Sequence, residues 1–190
     1  MKPLLVLKDK DIFPNAIPKE DIIYKFRLAV KIIVVDPGGK VALVGTKYRL
    51  LPGGGVEEGE KIIEAVKREC REEVGCNIEI DKEIAFTEEY RAQIARHQQT
   101  HFFLTHLVGN KGVPETTQEN EQGIEVDWYK LDDAIVLLEK EVVEIPHESY
   151  NACFNARTHF AVLKELKNLG ITYNLEARLT GTPNLGHIFN

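Results

Sequence analysis

At 190 residues and a net charge of −6, the chain has the size of one domain, and its 43% hydrophobic and 28% charged content is that of a globular protein with a sizeable core. The acidic balance argues against a surface built for nucleic acid or anionic membrane, so no stable nucleic-acid partner is expected. Three cysteines, Cys70, Cys76 and Cys153, without a CxxC spacing, suit structural thiols in a reducing compartment better than a disulfide framework or a zinc site. The opening MKPLLVLKDKDIF carries too short an apolar run for a signal peptide or a membrane span, and a soluble, cytoplasmic protein is expected.

Residues 1–24 read as an N-terminal extension. Lys25–Asp36 is rich in β-branched residues and ends at Pro37-Gly38-Gly39, so with Lys40–Lys47 it predicts a β-hairpin. From Glu60 to Val74 the apolar residues Ile62, Ile63, Ala65, Val66, Cys70 and Val74 follow a helical stripe, and Gly75 stands at its stop. Cys76–Phe86 and Thr100–Gly109 predict strands, the second more deeply buried. Asn110–Gly123 is a polar loop before a short strand, IEVDWYKL. A helix capped by Asp132 or Asp133 is expected to reach about Lys140, and a long amphipathic one to run from Ser149 to Leu169. Residues 25–169 thus make one α/β domain, a mixed sheet between helices, followed by a tail at 170–190. The two termini are expected to supply a lid or a contact for a homodimer.

The segment PGGGVEEGEKIIEAVKRECREEVGC, Pro52 to Cys76, concentrates negative charge behind three glycines. On a helix, Glu69, Glu72 and Glu73 share one patch. Uncompensated, each like-charged pair costs a few tenths of a kcal/mol even when exposed. Hard divalent cations remove that cost, and Mg²⁺ prefers carboxylates together with substrate phosphate oxygens. Arg68 is placed to pair with Glu64 and Glu72 at i±4 and to orient the ligands from behind, with Glu60 in support near the helix start. Gly53-Gly54-Gly55 permits close backbone approach to a ligand, and a carbonyl from this loop is a further candidate donor.

This stretch resembles the signature of the Nudix hydrolase family, Gly-x5-Glu-x7-Arg-Glu-apolar-x-Glu-Glu-x-Gly-apolar. The match is carried by Gly54, Glu60, Arg68, Glu69, Cys70, Glu72, Glu73, Gly75 and Cys76, with cysteine at two positions where Ile, Leu or Val is usual. The resemblance implies a Nudix-type α/β/α sandwich and hydrolysis of a diphosphate bond in a nucleoside diphosphate linked to another group. It implies that Glu69, Glu72 and Glu73, with Gly54, bind Mg²⁺ or Mn²⁺, and that Glu69 and Glu72 are central to catalysis. A general base from a glutamate beyond the box is also implied. Glu121 is favoured over Glu119, with Glu88 and Glu89 as the other candidates.

Arg49 and Arg91 are expected near substrate phosphates, with Lys47, Tyr48, Arg96 and His97 as further neighbours. Trp128 is expected in the core. Nucleoside triphosphates and nucleotide sugars are the favoured substrates. ADP-ribose is disfavoured because Arg91 stands where a marker proline would, and the dinucleoside polyphosphate marker is weak. A regulatory Nudix domain that binds a nucleotide without cleaving it is the alternative, although every box glutamate is present.

Overall fold

The β-branched runs on either side of Pro37-Gly38-Gly39 form two neighbouring strands within a single mixed sheet. A computed structural model of the chain describes residues 2–17, 19–115 and 123–170. In chain order the elements are β1 (Leu5–Lys8), α1 (Asp9–Ile12), β2 (Lys25–Val35), β3 (Lys40–Gly45), α2 (Ile62–Val74), β4 (Asn77–Arg91), β5 (Arg96–Val108), β6 (Glu125–Lys130), α3 (Leu131–Glu144) and α4 (Tyr150–Asn168). The sheet order is β1-β4-β5-β2-β3-β6. β1 runs parallel to β4 and β2 parallel to β5, while the other neighbours are antiparallel.

The two-residue period of β2 sorts the core. Val30, Ile32 and Val34 pack with Ala42 and Val44 against Ala65, Val66, Cys70 and Val74 of α2. Ile33 and Val35 join Leu43, Phe102 and Leu104 beneath Ala134 and Leu138 of α3 and Val162, Leu163 and Leu166 of α4. Helices therefore cover both faces, which is the α/β/α sandwich expected from the sequence.

The N-terminal extension is tied into this body. β1 adds an edge strand, and Leu7, Ile12 and Phe13 pack on Cys153, Phe154 and Ala156 of α4. Asp9 accepts hydrogen bonds from the Ala92 amide at 2.9 Å and the Tyr150 hydroxyl at 2.6 Å. The expected tail lies outside the described residues beyond Gly170.

Two strands are longer than their apolar patterns. β4 continues to Arg91 and β5 begins at Arg96, and their polar ends pair through Glu89↔Gln98 and Arg91↔Arg96. The inward face there carries Thr87, Glu89, Arg91, Gln98 and Thr100, all buried. Polar residues buried in a hydrogen-bonded network do not register as a hydrophobic alternation. α3 likewise runs past Lys140 to Glu144, and Asp132 and Asp133 sit in its first turn rather than at the cap. The dipole there favours their charge.

Candidate active site

The glycine loop lies along the edge of β2. β2 and β3 pair at Val35 and Val41, and closer to the start of β2 its edge is taken by residues 52–56. The Ile32 amide donates to Pro52 O at 2.9 Å, the Val30 amide to Gly54 O at 2.9 Å, and the Val56 amide to Leu28 O at 3.0 Å. Gly53 has φ 125°, and a Cβ there would stand 2.3 Å from Val30 O, so only glycine fits. At Gly54 a Cβ would stand 2.5 Å from Glu69 Oε1. The loop backbone thus presses against β2 and against the carboxylates of α2.

α2 is held at its C-terminal end by Gly75, with φ 72°, whose amide donates to Cys70 O and Arg71 O, both at 3.1 Å. Cys76 Sγ lies 3.6 Å from Cys70 Sγ and supplies the apolar contact that closes such helix ends. The buried stripe on α2 turns Glu69 and Glu73 towards the glycine loop at Gly54 and Gly53, and Arg68 joins Glu72 to Glu69.

Arg68 organises the acids. Its guanidinium donates to both oxygens of Glu60 at 2.8 and 2.9 Å, to Glu69 at 2.8 Å, to Glu72 at 3.0 Å and to Gly55 O at 3.0 Å. The Glu72 contact is the one expected at i+4, and the Glu60 contact was not anticipated. The Glu64 pairing does not occur. Glu64 instead accepts from the Lys61 amide at 3.1 Å at the helix start, while Glu60 offers both oxygens to the planar fork. Those bonds raise the Arg68 pKa further and hold Glu60 below the usual carboxylate range.

Glu69 is only 7% exposed. Burial pushes its carboxyl up to about 7; the Arg68 hydrogen bond opposes this and the neighbouring Glu73 charge adds to it. Glu73 accepts from the Gly53 amide at 2.7 Å. Among the described residues no three acidic, histidine or cysteine side chains converge on one point. Arg68 occupies Glu69 and Glu72 while the loop amide occupies Glu73. The donor set still suits a hard cation, because the single charge of Arg68 is shared among Glu60, Glu69 and Glu72 and the carboxylates remain in excess. Gly54 O accepts one backbone hydrogen bond and retains a second lone pair.

The two arginines expected at substrate phosphates have other partners. Arg49 donates to Asp127 at 2.6 Å and Gly45 O at 2.7 Å and pairs with Glu125, which staples the end of β3 to β6. Arg91 is 2% exposed, pairs with Glu89, and donates to Asn151 at 2.6 Å and Asn155 at 2.8 Å of α4. Both guanidinium groups are engaged by protein acceptors, whereas the sequence suggested substrate phosphates as their partners. Glu89 is buried, and desolvation raises its pKa. Glu88 lies on the other face of β4, 3.3 Å from the Tyr90 hydroxyl. Glu119 and Glu121 lie outside the described residues. Trp128 packs against the α2-side core as expected, with the Lys111 ammonium 3.8 Å from its ring centre.

Two cations beside the loop were not anticipated. Arg27 rests on Gly55 and donates to Gln98 at 2.8 Å. Lys31 donates to Leu51 O at 3.1 Å and to Gly53 O. Their signal in the sequence is a pair of charged residues on the face of β2 that also carries Ala29, Ile33 and Val35.

Known proteins agree with this architecture. The sequence matches the NUDIX domain family over residues 25–152. The NUDIX hydrolase of Nitrosomonas europaea is 19% identical with a TM-score of 0.56, covering 80% of this chain and 95% of its own. The MutT protein of Methanosarcina mazei Go1 is 16% identical with a TM-score of 0.55, covering 78% and 97%. The ORF135 protein of E. coli is 19% identical with a TM-score of 0.50, covering 80% and 96%. No curated protein matches the chain in sequence. These structures share the fold, and the family match spans the glycine loop, α2 and the sheet between them. The chain therefore belongs to the Nudix family of hydrolases.

Proposed function

We propose that this Nudix enzyme is a Mg²⁺- or Mn²⁺-dependent pyrophosphohydrolase that cleaves the diphosphate bond of a nucleoside diphosphate linked to another group. A nucleoside triphosphate or nucleotide sugar is the favoured substrate. The observation that carries this reading is the Arg68 cluster, which holds Glu60, Glu69 and Glu72 against the glycine loop while Glu73 caps the Gly53 amide.

Nudix hydrolases generally use a divalent metal and act on small nucleotides, and here Glu69, Glu72, Glu73 and the Gly54 carbonyl are the residues that would hold the ion. When bound, such an ion polarises phosphoryl oxygens and makes water a better nucleophile near neutral pH. Arg68 keeps Glu69 and Glu72 aimed at the loop. Glu60 holds Arg68 in turn and leaves it unable to swing away. Glu121, four residues before β6, is the proposed base for the attacking water. A cavity of about 310 Å³ borders Glu73 and is walled by Val44, Gly45, Leu51 and Ile124, which gives the phosphate chain a place beside the carboxylates.

The test is a panel of diphosphate-linked nucleotides incubated with Mg²⁺, with Glu72→Gln alongside. The expected result is turnover of at least one substrate, a loss of about 10²-fold or more in the variant, and abolition by EDTA. Turnover that persists in excess chelator rules out the metal reading. Equal activity in the variant removes Glu72 from the site. No described helix is long and apolar enough to cross a membrane.

A further inference from the structure

Lys31 stands where the alternation of β2 calls for an apolar side chain. Ala29 and Ile33, its neighbours on the same face, are 2% and 0% exposed. Its ammonium donates to Leu51 O at 3.1 Å and to Gly53 O, and among the described residues it forms no ion pair. An ammonium carries three N–H donors, so one is left over. Lys31 lines the cavity of about 310 Å³ that Glu73 also borders.

Burial lowers the Lys31 pKa, and the negative charges of Glu73 and Glu69 oppose that shift. Those two carboxylates are its main counterweights, yet neither touches it. They are also proposed to hold a divalent cation. Once a cation neutralises them, Lys31 is left as a desolvated positive charge held only by two neutral carbonyls, which is a costly arrangement. An anion entering the cavity between the cation and the ammonium offsets both charges at once.

We propose that Lys31 is a substrate-binding residue whose ammonium donates its remaining N–H to a phosphate oxygen of the diphosphate chain, from the cavity side of the glycine loop. This rests on the metal-dependent reading above. It extends the site from α2 across the loop to β2, and it assigns the cavity to the anionic part of the substrate. Two contacts to loop carbonyls fix the ammonium in place, so little side-chain freedom is lost when the phosphate arrives.

The experiment uses methylenediphosphonate, a non-hydrolysable diphosphate, titrated calorimetrically into the full-length protein with Mg²⁺. The wild type is expected to bind it, Lys31→Met to bind it at least tenfold more weakly, and Lys31→Arg to recover most of the affinity. Mg²⁺ binding without the diphosphonate is not weakened in Lys31→Met, because the substitution removes a competing positive charge. A lysine that only braces the loop predicts a lower melting temperature with unchanged diphosphonate affinity, and that outcome overturns the proposal while leaving the metal-dependent reading intact. Absence of diphosphonate binding by the wild type overturns both. A crystal structure of the wild type with Mg²⁺ and methylenediphosphonate decides the matter should Lys31→Met fail to fold. A phosphonate oxygen within hydrogen-bond distance of Lys31 Nζ supports the proposal, and none within that distance overturns it.

Discussion

The Gly53 amide donates to Glu73 Oε2 at 2.7 Å, across twenty residues of sequence, and this one bond joins the glycine loop to the acidic face of α2. With Arg68 holding Gly55 O at the other end of the same glycine run, the loop is pinned to the helix at both ends. The carboxylates and the loop carbonyls therefore keep their relative positions before any ligand arrives. Positional rigidity of this kind is what metal and phosphate sites need.

Gly54→Ala tests how closely that fit matters. The added Cβ would stand 2.5 Å from Glu69 Oε1 and 2.9 Å from its carboxyl carbon, so Glu69 has to turn away. The clash falls on the end of a flexible side chain, and the fold is expected to survive with a melting temperature within a few degrees of wild type. Metal affinity or turnover is expected to fall about 10- to 100-fold, as when a metal ligand is misaimed. Wild-type Mg²⁺ affinity by calorimetry contradicts the placement of Glu69.

Arg68→Ala removes the cation that, among the described residues, touches three of the clustered acids. Glu60, Glu69 and Glu72 then repel without compensation, with Glu60 and Glu69 largely buried. The expected cost is about 3 kcal/mol in urea denaturation without metal, because stranded buried charges are the expensive part of a broken pair. Saturating Mg²⁺ is expected to recover part of it by supplying positive charge at the same carboxylates. Arg68→Lys is expected to restore little, since an ammonium cannot serve Glu60 side-on and reach Glu69 and Glu72 as well.

His159 gives the protein an acid limit. It is 1% exposed, and its Nδ1 accepts the Leu51 amide at 3.1 Å, so the ring is the neutral tautomer with its proton on Nε2. Burial, with the nearby charges of Lys31 and Arg91, holds its pKa well below 6.5. A depressed folded-state pKa means that the unfolded chain binds the proton more readily. The stability contribution is therefore complete above about pH 6.5 and is lost as pH falls below it, by up to about 1.4 kcal/mol per unit. The comparison is chemical denaturation from pH 7.5 to 5 for wild type and His159→Gln. A slope below pH 6.5 that is the same in both proteins removes His159 as its source.

Arg91 and Glu89 form a buried pair, 2% and 1% exposed, that links β4 to α4 through Asn151 and Asn155. Arg91→Met leaves Glu89 and both asparagines without a partner, and about 3–5 kcal/mol of stability is expected to disappear. Adding Glu89→Leu to that variant is expected to return a good part of the loss, because the unpaired carboxylate is then gone. Additive losses in this cycle contradict a coupled pair.

Much of the site could be read from spacing alone. The stripe Ile62, Ala65, Val66, Cys70 and Val74 placed α2, and three carboxylates at i, i+3 and i+4 followed on its other side. The β-branched run of Lys25–Asp36 likewise announced a strand ending at the Pro37-Gly38-Gly39 turn. These features are properties of neighbouring residues, and local periodicity is enough to determine them. What periodicity could not supply was the partner of each charge. Arg68 took Glu60 rather than Glu64, Arg49 and Arg91 were claimed by Glu125, Asp127, Glu89 and two asparagines of α4, and Lys31 reached carbonyls twenty and twenty-two residues away. The polar ends of β4 and β5 stayed hidden for the same reason, since Arg91 bonds Glu89 and two asparagines of α4 while Gln98 bonds Arg27 and Thr100. A hydrophobic pattern along one segment reports which face is buried, because burial of apolar area is non-directional. A hydrogen bond or ion pair needs a partner at one distance and angle, and only the folded arrangement of distant segments decides which one arrives.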